Sequence, residues 1–269
     1  MIRQEKKNNK KKGVQRFLYL FFLCAIVVTG YFVYRYYKDD KKQENRFREL
    51  EKIEEERDKN PVPQKSSTKV NNPDWIGWLQ IDDTNIAYPV MQRNGDNEYY
   101  LHRDFDGNYS FYGTPFLDAR CTPDSDNCII YGHNINGGRM FGALHAYSGE
   151  SYYKGHSKIN LRMGEERRMY QIVSVIQTTT SSPVYSFTDV GNWEEYKDYV
   201  KTIISHSLYQ TKMGDKIKTE METETTEEFF KHYQFLTLST CRSWVGRDAR
   251  LLVIAVKEKE GQVWHGKTQ

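Results

Sequence analysis

The chain has 269 residues, 38% hydrophobic and 28% charged, with a net charge of only +3. That length allows one sizeable domain plus extensions. The charge is uneven: residues 1–16 hold seven Lys/Arg against one acid, Glu5, which leaves the rest of the chain at −3. A mildly acidic body with a basic tip gives no case for nucleic-acid binding.

After the basic tip (1–16), Phe17 to Tyr34 is uncharged, close to the ~20 residues a bilayer core requires. Tyr31, Tyr34, Tyr36 and Tyr37 suit the outer interface. The apolar run exceeds a signal h-region and no A-x-A-type cleavage site follows it, so 17–37 is expected to be an uncleaved transmembrane anchor. The basic tip then stays cytoplasmic, and everything after residue 38 lies outside the cell membrane. Residues 38–58 are dense in charge, with Phe47, Leu50 and Ile53 at three-residue spacing. They read as a helical stalk whose thin apolar stripe fits a solvated spacer or a partner-binding coil. Asn60 to Lys69 is a linker by composition, so stalk and linker fill 38–71 and the folded domain runs over 72–269.

The body is mostly β in pattern. Trp75–Ile81 and Ile86–Met91 read as strands around an Asp82-Asp83-Thr84-Asn85 turn. Further candidates are Gly113–Leu117, Cys128–Tyr131, Lys158–Arg162, Arg168–Thr178, Gln234–Thr240 and Leu251–Lys257. About eight strands with polar turns predict a closed barrel or sandwich, a mainly β fold. Residues 192–208 place Trp193, Tyr196, Val200, Ile203, Ile204 and Leu208 at helical spacing, with Ser, Thr and Asp ahead as caps. Residues 211–228 are polar and read as a loop or a short second helix.

Four cysteines carry the chemical questions. Cys24 lies inside the apolar span. Cys121 and Cys128 flank a six-residue polar loop; outside a cell a disulfide is permitted there, and two free thiols are the alternative. With no second Cys or His pair the spacing is weak evidence for metal, and no metal or cofactor is expected. Cys241 is left without a partner, which flags a reactive thiol.

Cys241 ends the strand-like run Phe235-Leu-Thr-Leu-Ser-Thr240, Arg250 opens the run Leu251–Val256, and His133 closes Ile129-Ile-Tyr-Gly132. A thiol is mostly protonated at neutral pH. An imidazole can exchange its proton, and a guanidinium, always charged, can hold a carbonyl or the oxyanion formed by attack on it. The three are a complete set for acyl transfer. Each alone is common in structural roles: Cys as a small buried hydrophobe, Arg as a surface charge.

The order and flanks of these residues resemble the sortases, the cell-wall cysteine transpeptidases of Gram-positive bacteria. The likeness rests on Tyr131-Gly-His-Asn134, Thr237-Leu-Ser-Thr-Cys241 and Asp248-Ala-Arg-Leu251. Asn72–Leu79, Asp96–Leu101, Tyr112–Asp118 and Gly137–Phe141 are similar to class B sortases, so the likeness spans about residues 72–258. It implies an eight-stranded β-barrel with peripheral helices, Cys241 as nucleophile, His133 as general acid and Arg250 as the carbonyl clamp, with Arg247 as a rival. Ser239 and Thr240 would line the substrate groove, with Asn97 and Leu101 in matching groove positions; their ordinary readings are a turn residue and a core leucine. The implied substrates are secreted proteins with a C-terminal sorting motif, N-P-x-T-N-like or P-x-T-G-like, joined to a peptidoglycan amine. An L,D-transpeptidase also uses His before Cys, and Arg242 follows Cys241, but its S-H-G-C-like motif is absent. A papain-like protease has its Cys before its His. A membrane-tethered binding module with a dead site is the non-enzymatic alternative.

Overall fold

The computed structural model describes residues 2–59, 70, 72–223, 233–242 and 245–258. The linker expected over Asn60–Lys69 and the end of the 211–228 segment lie outside the described residues. The chain divides into two compact units, residues 1–46 and 47–269.

The first unit lies within one long helix, α1 (Ile2–Lys59). Its apolar residues from Phe17 to Tyr37 are exposed, and the helix is long and apolar enough to cross a membrane. The last turns of α1 belong to the second unit, where Phe47 and Leu50 join the hydrophobic core and Ile53 packs against it. The Phe47 ring meets Tyr88 edge-on at 5.5 Å. Glu54 takes a two-pronged ion pair from Arg162, Nε to Oε2 and Nη2 to Oε1, both at 2.6 Å. The stripe read as a spacer or partner-binding coil is therefore covered by the chain's own body.

That body is a closed eight-stranded barrel. Its strands are β1 (Trp75–Gln80), β2 (Ala87–Met91), β3 (Phe116–Leu117), β4 (Asn127–Tyr131), β7 (Lys158–Met163), β8 (Glu166–Thr179), β9 (Tyr233–Cys241) and β10 (Ala249–Glu258); β5 (Asn134–Ile135) and β6 (Arg139–Met140) form a separate two-stranded hairpin. The order around the barrel is β1-β2-β3-β4-β9-β10-β8-β7, closing on β1. The β2–β3 and β4–β9 pairs are parallel and the others antiparallel. All eight strand candidates correspond to barrel strands. The one expected over Gly113–Leu117 shrinks to two residues. Gly113 has φ +58°, and a Cβ there would lie 2.4 Å from the Leu101 carbonyl. The chain instead bonds across to that segment, Thr114 N–H to Tyr100 O at 3.0 Å.

Strand β9 is buried from Tyr233 to Thr240, as a central strand covered on both faces must be. Its period of two divides it between two cores. Leu236 and Leu238 face the barrel interior with Leu251, Val253 and Ala255 of β10. Tyr233 and Phe235 face outward with Leu252, Ile254 and Val256, under two helices. These are α3 (Trp193–Ser205), which ends three residues short of the 192–208 segment the spacing predicts and leaves Leu208 exposed, and α4 (Lys212–Thr223); the short α2 (Glu150–Gly155) precedes both. Asn192 caps α3, its side chain accepting from Glu195 N–H at 3.0 Å, with Glu194 and Glu195 in the positive first turn.

Candidate active site

The outward face of β9 leads to the site. Residues 233, 235, 237, 239 and 241 share that face. At Phe235 it is covered by rings of Tyr196, Tyr199 and Phe187. At Ser239 the cover is Tyr185, whose hydroxyl meets Ser239 Oγ at 2.7 Å. At Cys241 the cover ends and the residue is half-buried. The thiol thus sits where an otherwise sealed strand meets solvent.

Strand register supplies the guanidinium. Arg250 lies directly opposite Cys241 in the β9–β10 ladder, and the hairpin is held just beyond by Arg242 N–H to Ala249 O at 2.8 Å. Arg250 Nη1 donates to the carbonyls of Arg247 (2.8 Å) and Ala249 (3.0 Å). Nε and Nη2 have no hydrogen-bond partner among the described residues, so a planar fork is held on one arm and open on the other. Arg247 is exposed and lends its carbonyl to Arg250.

The imidazole arrives from β4, the parallel neighbour of β9. Gly132 N–H donates to Ser239 O (3.1 Å) and Thr240 Oγ1 donates to Gly132 O (2.9 Å). This clasp sets His133 beside the end of β9. Gly132 is required: a Cβ there would lie 2.5 Å from the Phe141 ring. His133 Nε2 is 2.7 Å from Leu101 O. A carbonyl only accepts, so Nε2 carries the proton and Nδ1 is the basic atom of the neutral ring. Burial pushes the His133 pKa below its ordinary value; the Leu101 carbonyl partly opposes this, and the neighbouring His102, ring centroid 5.4 Å away, adds to it. No hydrogen bond joins His133 to the Cys241 sulfur.

One groove of about 360 Å³ is lined by His133, Cys241 and Arg250, and by Asn97, Leu101, Ser239 and Thr240. All seven residues singled out as catalytic or substrate-binding meet there. Asn97 Oδ1 also accepts from Ala119 N–H at 2.7 Å, and Leu101 contributes the carbonyl that holds His133. Larger hollows of about 440 and 480 Å³ lie between the end of α1 and β7, and between α3 and α4. Neither holds a Cys or His, so chemistry and not size marks the site. No cluster of three or more His, Cys, Asp or Glu among the described residues could hold a metal.

Sequence reasoning missed several residues. Tyr131, Phe116, Tyr185, Glu98 and Thr180 also line the groove. Tyr131 stacks on Tyr185 (6.2 Å, 19°) and packs on Phe116 (5.4 Å). It donates to Asp118 Oδ2 at 2.8 Å. Burial alone would raise the Asp118 pKa, but bonds from Arg120 and Tyr131 outweigh it and hold the carboxyl below its ordinary value. Tyr131 and Phe116 lay within the Tyr-Gly-His and Gly-Thr-Pro-Phe motifs; Tyr185 lay in no periodic segment. His145 Nε2 approaches Cys241 O at 3.0 Å from the 3-10 segment Phe141–Ser148, and no sequence signal marked it. Cys121 and Cys128 are both buried free thiols, and neither lines the groove.

Known proteins give the arrangement a family. The sortase domain model matches residues 79–258, more than half of the chain. Sortase B of Listeria monocytogenes is 32% identical over 165 residues, covering 61% of this chain and 66% of that protein. Sortase B of Staphylococcus aureus is 25% identical over 244 residues, covering 88% and 93%. The structure of a Staphylococcus aureus sortase B–substrate complex superposes with a TM-score of 0.69 at 25% identity, over 82% of this chain and 98% of that one. With the closed barrel, the shared groove and these matches together, the chain belongs to the sortase family, in its class B branch.

Proposed function

We propose that this chain is a membrane-anchored cysteine transpeptidase that cleaves the C-terminal sorting signal of secreted proteins after Thr and passes the acyl group to a peptidoglycan amine. The observation that carries the reading is the register pair: Cys241 and Arg250 face each other at the open end of a sealed strand, with His133 clasped beside them. The likeness to a sortase B–substrate complex supports peptide binding in the same groove.

In this mechanism the Cys241 thiolate attacks the Thr carbonyl carbon. The free N–H groups of Arg250 take the developing oxyanion, as a fixed donor does best in a partly desolvated groove. The C–N bond breaks, and protonated His133 gives its proton to the leaving amine. An acceptor amine then attacks the thioester and loses its proton to the now neutral His133, the C–S bond breaks, and the Cys241 thiolate and protonated His133 are restored. Two acyl steps replace one direct amide exchange. The aromatic wall of Tyr131, Tyr185 and Phe116 limits water at the thioester. The N-terminal apolar helix holds the domain at the outer face of the membrane, its basic tip inside.

Incubation of the full chain in detergent with N-P-x-T-N and P-x-T-G peptides and a small amine tests this. The expected product is the peptide truncated after Thr and joined to the amine, for one motif far more than the other. A thiol-reactive peptide probe that labels wild type and Cys241→Ala equally, with no joined product, overturns the reading.

A further inference from the structure

Cys121 and Cys128 take no part in the groove. They bracket Thr122–Asn127, the second half of the connection between β3 and β4 together with the first residue of β4. A turn closed by Cys121 N–H to Asp118 O (2.9 Å) brings the chain back toward β4. Cys121 Sγ then lies 3.3 Å from Asn127 O, and the Ile129 amide also bonds to it. Its sulfur rests on the peptide groups either side of Cys128. The reverse also holds: Cys128 Sγ lies 3.5 Å from Thr122 O and 3.8 Å from Pro123 O, just beyond Cys121. Each thiol abuts the backbone that carries the other.

The loop is pinned in this shape. Gln234 Nε2 donates to Pro123 O and Ser125 O, each at 2.9 Å. Arg168 Nη1 donates to Pro123 O as well. Ser125 Oγ donates to Asp189 at 2.9 Å. Both cysteines are in the barrel core, with 3% and 0% of their surface exposed. Cys241 is no rival partner. Cys128 pairs with Leu236 in the β4–β9 register, five residues before Cys241, or about 16 Å along a strand, beyond disulfide reach.

We propose that Cys121 and Cys128 are joined as a disulfide in the exported protein, the structure showing the dithiol form. The proposal rests on the outside placement of the domain and not on the groove chemistry. The oxidant is the disulfide of an extracytoplasmic thiol oxidoreductase. One cysteine thiolate attacks it to form a mixed disulfide, and the second displaces the oxidoreductase as its dithiol. Two electrons and two protons pass to the oxidoreductase. Burial pushes the Cys121 pKa up to about 11 and the Cys128 pKa up to about 12, so neither thiol is nucleophilic once packed. Exchange therefore occurs while the loop is still open, and the finished bridge is shielded from reductants.

The test is a thiol count on the full chain, recovered from membranes with N-ethylmaleimide, denatured and weighed intact. Two adducts, on Cys24 and Cys241, are expected, with a peptide linking Cys121 to Cys128. Cys121→Ser should give three adducts and a Tm lower by roughly 5–10 °C. Four adducts on wild type, or a link from either cysteine to Cys241, overturn the proposal. Labelling of Cys241 on intact cells by an impermeant maleimide reports separately on topology, so a failure of the bridge and a failure of the outside placement are distinguishable.

Discussion

The two ends of the parallel β4–β9 pair carry cysteines in opposite circumstances. Cys241 lies at the open end, where helix and aromatic cover stop, opposite Arg250 and beside His133. Cys128 lies near the other end, facing the barrel interior among apolar neighbours, with Cys121 at its loop. The residue type and the sheet are the same. What differs is which face the strand period assigns to each sulfur and whether anything covers that face. In the proposed mechanism, what sets Cys241 apart as the reactive thiol is the termination of cover.

Removing each sulfur tests this contrast most sharply. Cys241→Ala should abolish transpeptidation, a loss of more than ~1,000-fold in kcat/KM, and leave Tm nearly unchanged. Cys128→Ala should lower Tm and keep turnover within about threefold of wild type. If the two variants exchanged these effects, the contrast would be wrong. Arg250→Lys keeps the charge but loses the planar fork, and should cost about 100-fold in peptide cleavage. Near-normal turnover would move the clamp to Arg247. Tyr185→Phe removes the bond to Ser239 Oγ and should cost about three- to tenfold in kcat/KM, with the fold intact by circular dichroism.

The smallest effect is in pH. Burial favours neutral His133 in the folded chain, whereas the unfolded chain takes up a proton near an ordinary pKa of about 6.5. This contribution to stability is present above that pH and is lost as pH falls through the lower folded value. Urea unfolding of wild type between pH 7 and 5 should weaken more steeply than that of His133→Gln. Equal slopes would mean that burial does not disfavour the imidazolium.

Local pattern carried much of this. The apolar runs that became β4, β9 and β10 were legible because central strands are continuously apolar, and α3 because its buried face repeats at helical spacing. The α1 stripe at Phe47, Leu50 and Ile53 was legible as a stripe, but its partner was not. Glu54 and Arg162 are 108 residues apart, and nothing local in either segment announces the other. The same limit hid Tyr185, which reaches Ser239 across 54 residues, and His145, which reaches the Cys241 carbonyl across 96. That Cys241, His133 and Arg250 would come together in one groove was readable because each ends or opens a strand inside a distinctive motif. The wall around them is assembled by barrel closure, and appears only once the strands are in register.

The central claim is that the Cys241 sulfur carries the acyl group. Intact-mass analysis of the enzyme, quenched in acid within seconds of mixing with its sorting peptide and no amine, tests it directly. The predicted result is a mass gain equal to the peptide through Thr, mapped to Cys241, released by hydroxylamine and absent from Cys241→Ala. Peptide turnover with no adduct on Cys241, or an adduct that survives in Cys241→Ala, would contradict it.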